Sequence, residues 1–165
     1  MKRISLFLIL AVSFSVVFAQ KANVKKAKDL AYMDGADFKA ARQVIKEALA
    51  DSTTKNLAET WYVAGLIGYK ENEKLYQSMI LNQNYDKDVK GKAIMESIPY
   101  FLKAVSLDTI VDKKGKVKTK YSKDIKEKLK EYFTDQTNLW GYGAYLFDEK
   151  KDYVGAHKVF DTYLS

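Results

Sequence analysis

Apolar residues recur along this chain at the three- and four-residue spacing of helices buried on one side. Val24, Ala27, Leu30 and Ala31 form the first stripe, and Asp34-Gly35 supplies a stop in which the glycine can take a left-handed cap. A second helix opens at Ala36 or Asp37. Its apolar residues Phe38, Ala41, Val44, Ile45, Ala48 and Leu49 face away from Lys39, Arg42, Lys46 and Glu47, and Asp51-Ser52-Thr53-Thr54 is its exit loop. A third helix starts near Asn56 and carries Trp61, Ala64 and Gly65. The polar stretch from Glu71 to Asp88 predicts a short separate helix over 73–81 and a loop from Asn82 to Tyr85. Ser97, Phe101 and Ala104 then place a helix over 93–107, which Pro99 bends unless the helix starts near Ser97.

In the second half, residues 111–120 alternate Lys with Val or Thr beyond Asp112-Lys113-Lys114-Gly115, which reads as a small hairpin around a tight turn. Ser122 caps a helix containing Ile125, Leu129, Tyr132 and Phe133. The last stretch sets Trp140, Gly143, Ala144 and Phe147 before a charged break at Asp148 to Asp152, and Tyr153, Ala156 and Phe160 after it. That pattern predicts two short helices back to back. The small residues leave room where the helices cross, and the large ones fill the gaps beside them.

Trp140, Gly143, Ala144, Phe147, Ala156 and Phe160 follow the W-x-x-L-G-x-x-Y then A-x-x-x-F pattern, and Trp61, Ala64 and Gly65 repeat its first half. Phe38, Ala41, Ile45 and Ala48 match its second helix. The chain therefore resembles the tetratricopeptide-repeat family, and with its amino terminus and insertions it looks like the exported tetratricopeptide proteins of Bacteroidetes. The resemblance implies an all-α fold, a short α-solenoid of three antiparallel helix pairs over residues 20–165. The units fall at about 22–54, 56–109 and 137–165, with insertions at about 72–90 and 110–136. Val159, Phe160, Tyr163 and Leu164 carry an apolar stripe to Ser165 without a polar capping helix. The expectation is an array that is incomplete at its carboxyl end, or one that self-associates through that helix.

The amino terminus reads Met1-Lys2-Arg3, an apolar run from Ile4 to Phe18, and small residues around Ala19. This predicts a signal peptide over residues 1–19, because the run is shorter than the roughly 20 residues of a membrane span. Export to a periplasm or the cell exterior follows, with no stable membrane insertion of the mature chain. The sequence has no cysteine, which excludes disulfides and a lipid-modified cysteine anchor. The net charge of +7 includes Lys2 and Arg3 of the expected leader; without them 26 basic residues face 21 acidic ones, and an excess of +5 serves solubility better than nucleic-acid binding, so no nucleic-acid partner is expected.

Candidate chemistry is sparse. His157 is the sole histidine, and no nucleophile elbow, phosphate loop or zinc motif occurs, so the reading is a non-catalytic protein without a cofactor. Acidic pairs such as Glu71/Glu73 and Asp148/Glu149 sit among lysines, as solvated surface does. The family resemblance implies that first helices line a concave groove for an extended partner protein or peptide. Glu59, Tyr62, Leu66, Tyr69, Asn138, Gly141 and Tyr145 would face it, with the tyrosines either offering contacts to a partner or packing against neighbouring units. Asn138 stands where some members grip a carboxylate, but the accompanying basic residues are missing from the pattern. The alternative is a binder of an anionic envelope polymer through the Lys-rich segment 113–130, above all Lys113, Lys114, Lys116, Lys118 and Lys120. Against this stands the scarcity of Arg, which suits a solvated loop.

Overall fold

Six consecutive residues of one helix, Val63 to Gly68, are buried, which a helix with a single apolar stripe cannot achieve. That helix, α3 (Ala58–Ile80), lies between two apolar clusters, one built with the helices before it and one with those after. The computed structural model describes residues 21–165. Ahead of α3 come α1 (21–32) and α2 (Phe38–Ala50). After it come α4 (Lys87–Leu107), the antiparallel strands β1 (Ile110–Val111) and β2 (Val117–Lys118), then α5 (Ser122–Thr134), α6 (Leu139–Asp148) and α7 (Tyr153–Leu164). The all-α class is observed. The expected signal peptide lies outside the described residues, and among the described residues no helix is long and apolar enough to cross a membrane.

The first two helices form where the pattern puts them. Gly35 takes a φ of +75° after α1, and Asp37 starts α2 by accepting from the Ala40 N–H at 2.9 Å. Arg42, assigned to the polar face of α2, instead donates to Glu71 of α3 at 2.6 Å and to Glu96 of α4 at 2.7 Å. It pins three helices together, so Glu71 is a held carboxylate and not solvated surface.

There is no separate helix over 73–81. α3 runs unbroken to Ile80 and α4 begins at Lys87, so the predicted insertion lengthens both arms of one hairpin. Glu and Lys are good helix formers, and the Asp86 carboxylate starts α4 by accepting from the Asp88 and Val89 N–H groups. α4 also passes through Pro99. The proline is exposed, so its ring lies on the outer face of the helix and displaces nothing in the core.

The arms cross closely because Gly65 and Gly68 carry no side chain. A Cβ on Gly65 would stand 2.5 Å from the Phe101 ring, and one on Gly68 would stand 2.5 Å from the Ala93 carbonyl oxygen. Gly65→Leu is therefore expected to destabilise by at least about 1 to 3 kcal/mol in urea unfolding. Ala144→Leu should cost less, although the repeat pattern treats the two positions as equivalent. In α6 the crossing residue is Gly143, where a Cβ would meet Phe160 at 2.6 Å, and Ala144 is only partly buried.

The last pair is thus phased one residue away from the pattern. Leu139, Tyr142, Gly143 and Leu146 are buried, whereas Trp140, Phe147 and Tyr153, expected to fill gaps, are about half exposed at 49%, 50% and 56%. α6 is apolar almost all round, so its periodicity does not select a face. The carboxyl-terminal stripe is also mostly covered. Val159 is buried, Phe160 lies on Gly143, and Tyr163 stacks on Phe133 of α5 at 6.3 Å, which leaves Leu164 exposed. Of the stripe on which self-association was expected, Val159 is buried, Phe160 and Tyr163 are partly covered, and Leu164 remains open.

The hairpin forms as predicted. Gly115 has a φ of +77° and donates to the Asp112 carbonyl at 2.9 Å, while the Asp112 side chain accepts from the Lys114 and Lys116 N–H groups. The start of α5 differs from expectation, because Ser122 does not cap it. The cap comes from Asp108, 2% exposed at the end of α4. Its carboxylate accepts from the N–H groups of Lys120, Tyr121 and Ser122 and from the Ser122 hydroxyl, at 2.7 to 3.0 Å. One side chain closes the base of the hairpin and starts the next helix.

Candidate functional site

α3 presents tyrosines at a seven-residue spacing, two helical turns, so that Tyr62 and Tyr69 stand one above the other on one face. α5 lies along that face. The Tyr62 hydroxyl donates to Asp124 and the Tyr69 hydroxyl to Glu131, both at 2.8 Å. Because the acceptors are also seven residues apart, α3 and α5 run parallel in a fixed register. Tyr121 stacks on Tyr62 at 4.4 Å, and Lys128 sits 4.6 Å over the Tyr69 ring while pairing with Asp124 at 2.8 Å. Burial, followed by the carboxylate partner, raises the pKa of both α3 tyrosines well above the usual phenol value, so their hydroxyls stay protonated as donors. The second predicted insertion therefore occupies much of the face expected to bind a partner.

The other groove candidates divide. Glu59 is exposed, but Leu66 is 1% exposed and Asn138 is 5% exposed, so neither faces an open groove. Leu66 packs in the core between α3, α4 and the later helices. Asn138 is held from two sides, donating to the Glu131 carbonyl at 3.2 Å and accepting from Lys90 at 2.9 Å. Tyr145 and Gly141 border an open cleft of about 400 Å³ between α4 and α6, which Trp140 and Tyr142 also line. Lys87 and Glu149 form an ion pair at its rim at 2.6 Å. Gly91 allows this packing. A Cβ there would stand 2.0 Å from the Tyr142 ring, whose hydroxyl burial pushes up to about 12.

Lys90 is the residue of this region that the sequence reading missed. Only 4% exposed, its ammonium donates to the Thr137 carbonyl and the Asn138 side chain, both at 2.9 Å. Burial lowers its pKa to about 8, against a smaller opposing effect of Asp135. A signal was present, because Lys90, Ile94, Ser97, Phe101 and Ala104 fall on one face of α4; a helix started at residue 93 cuts Lys90 off.

The hairpin lysines are dispersed. Lys113, Lys114 and Lys116 are exposed, Lys118 pairs with Asp112 at 3.2 Å, and Lys120 lies 4.9 Å from the Tyr121 ring. His157 is exposed beside Asp161 at 2.9 Å.

No family model, no curated protein and no solved structure matches this chain.

Proposed function

We propose that the chain is an exported, non-catalytic interaction scaffold of the tetratricopeptide type, which receives an extended segment of a partner protein in the cleft between α4 and α6. The leader-like sequence before Gln20 supports export. The small-on-large crossings Gly65 with Phe101 and Gly143 with Phe160 support the repeat reading. The observation that carries the binding reading is the position of α5. It satisfies the Tyr62 and Tyr69 hydroxyls and leaves the Tyr145 end of the candidate groove open. Trp140 and Tyr145 there offer rigid amphipathic rings that lose little entropy on contact, the kind of side chain enriched at binding hot spots.

Peptides selected on the chain from a random display library provide the test. The expected result is that they shift the amide resonances of Trp140, Gly141 and Tyr145, and that the double variant Trp140→Ala/Tyr145→Ala weakens them by at least about tenfold. Trp140 is half exposed, whereas Tyr145 is partly buried and stacks on Tyr142, so a modest drop in melting temperature is expected and affinities are compared well below it. Shifts centred on the hairpin, or affinity indifferent to both substitutions, would overturn the reading.

A further inference from the structure

A second, larger cleft lies at the other end of α3 and takes no part in the proposed scaffold role. It has a volume of about 660 Å³, inside the roughly 300 to 1,000 Å³ range of small-ligand sites. Its walls come from sequence-distant segments, α1, the start of α3, the end of α4 and the foot of the hairpin. Lys21, Lys25 and Lys28 recur at four- and three-residue spacing on one face of α1, and Lys120 joins them from beyond β2. None of the four is in an ion pair among the described residues.

The interior is apolar. Val24 and Val63 are 6% and 2% exposed, and Leu107 and Ile110 extend the same lining. Two polar features break it. Thr60 is wholly buried on the cleft wall with a hydroxyl that has no hydrogen-bond partner among the described residues. α3 also begins there without a side-chain cap, so the Ala58 and Glu59 N–H groups lack partners among the described residues. Unpaired donors of this kind favour an anion. Three carboxylates also border the cleft, Asp29, Glu59 and Asp108. Asp108 is engaged in the clasp that starts α5, which leaves four lysines facing two acids.

We propose that this cleft binds a free amphiphilic anion, a phosphate or carboxylate head on a hydrocarbon body. The lysines and the open α3 terminus take the head, and the valine-lined interior takes the body. A bare anion leaves the apolar lining wet, and a neutral hydrocarbon leaves the lysines unused. A cleft of this volume, walled by four sequence-distant segments, suits a molecule that enters it better than a headgroup fixed in a bilayer.

Calorimetric titration of the full chain with octyl phosphate below its micelle concentration, with inorganic phosphate and with octanol tests this. Octyl phosphate should bind one to one and at least about tenfold more tightly than either half. Lys25→Gln and Lys120→Gln should each weaken it by about two- to fivefold, the range of an exposed ion pair. The hairpin-tip double variant Lys113→Gln/Lys116→Gln should leave it unchanged. Melting curves of all variants verify folding, since the four lysines are exposed. The proposal is overturned if octanol binds as well as octyl phosphate, if the tip lysines matter as much as Lys25, if no ligand saturates, or if only anionic vesicles are bound. The Trp140→Ala/Tyr145→Ala variant should bind octyl phosphate normally, so that failure of one reading leaves the other standing.

Discussion

Asp108→Ala is expected to cost about 3 to 4 kcal/mol in urea unfolding followed by circular dichroism, the largest effect of any single polar substitution in this chain. Removal of the carboxylate strands three N–H groups and a hydroxyl, and each buried unpaired group costs about 1 to 3 kcal/mol before relaxation and water recover part of it. Asp108→Asn should recover only part, since the amide offers one acceptor oxygen where the carboxylate has two. Replacing Lys113 to Lys116 by a Gly/Ser turn, by contrast, should leave the melting temperature nearly unchanged, because these exposed residues are remote from the clasp. Deletion of the full segment 112–120 removes Lys120 and should behave like a mild Asp108 variant. Burial pushes the Asp108 pKa up, but its four donors more than reverse this and hold it below the usual carboxylate range. Its contribution is therefore complete above the unfolded pKa of about 3.9 and is lost as pH falls through the lower folded value. An Asp108→Ala protein as stable as the parent would show that the clasp contributes nothing.

The second large effect concerns Lys90. Its folded pKa of about 8 lies below the unfolded value of 10.5, so between those values the unfolded chain binds more protons and stability rises with pH. The difference corresponds to about 3 kcal/mol of burial cost, present at neutral pH and relieved as pH rises toward 10.5. Deprotonation removes the charge assistance but not the number of hydrogen bonds. The neutral amine keeps two N–H groups for its two acceptors, Thr137 and Asn138. Lys90→Met retains most of the apolar stem but cannot titrate, so parent stability minus variant stability should increase across this window. A flat difference from pH 7 to 10.5 would mean that the ammonium is solvated in the folded state.

The fold was legible wherever one face of a helix is apolar and the other charged. α1, α2 and the boundaries around Asp34-Gly35 and Asp37 follow directly from that contrast, and the hairpin follows from Asp-Lys-Lys-Gly. Where burial is many-sided the contrast disappears. α3 is covered on several sides and α6 is apolar nearly all round, so the pattern puts Trp140 in the core and cannot tell Gly143 from Ala144 as the residue at the crossing. The length of α3 was missed for a different reason. Helix-forming Glu and Lys after Glu71 look like loop by polarity alone, while Arg42, which fixes that stretch, is distant in sequence. Among the candidate groove residues, spacing correctly placed Tyr62 and Tyr69 on one face. It could not show that α5 lies along that face, because the complementary seven-residue step of Asp124 and Glu131 gains meaning only beside the tyrosines. Leu66 and Asn138 share the spacing of the groove positions, but helical spacing cannot fix how deeply each is buried.

The small hairpin leaves Ile110, Val111 and Val117 more than half exposed on a two-stranded sheet with both edges open. Such edges are templates on which further strands, including those of another copy, can grow into aggregates. The exposed lysines around them oppose this, since stacking two hairpins would bring like charges together. The charges that make this loop look like a polyanion site thus also disfavour pairing between copies, and acetylation of Lys113, Lys114 and Lys116 is expected to promote strand pairing, read as increased light scattering.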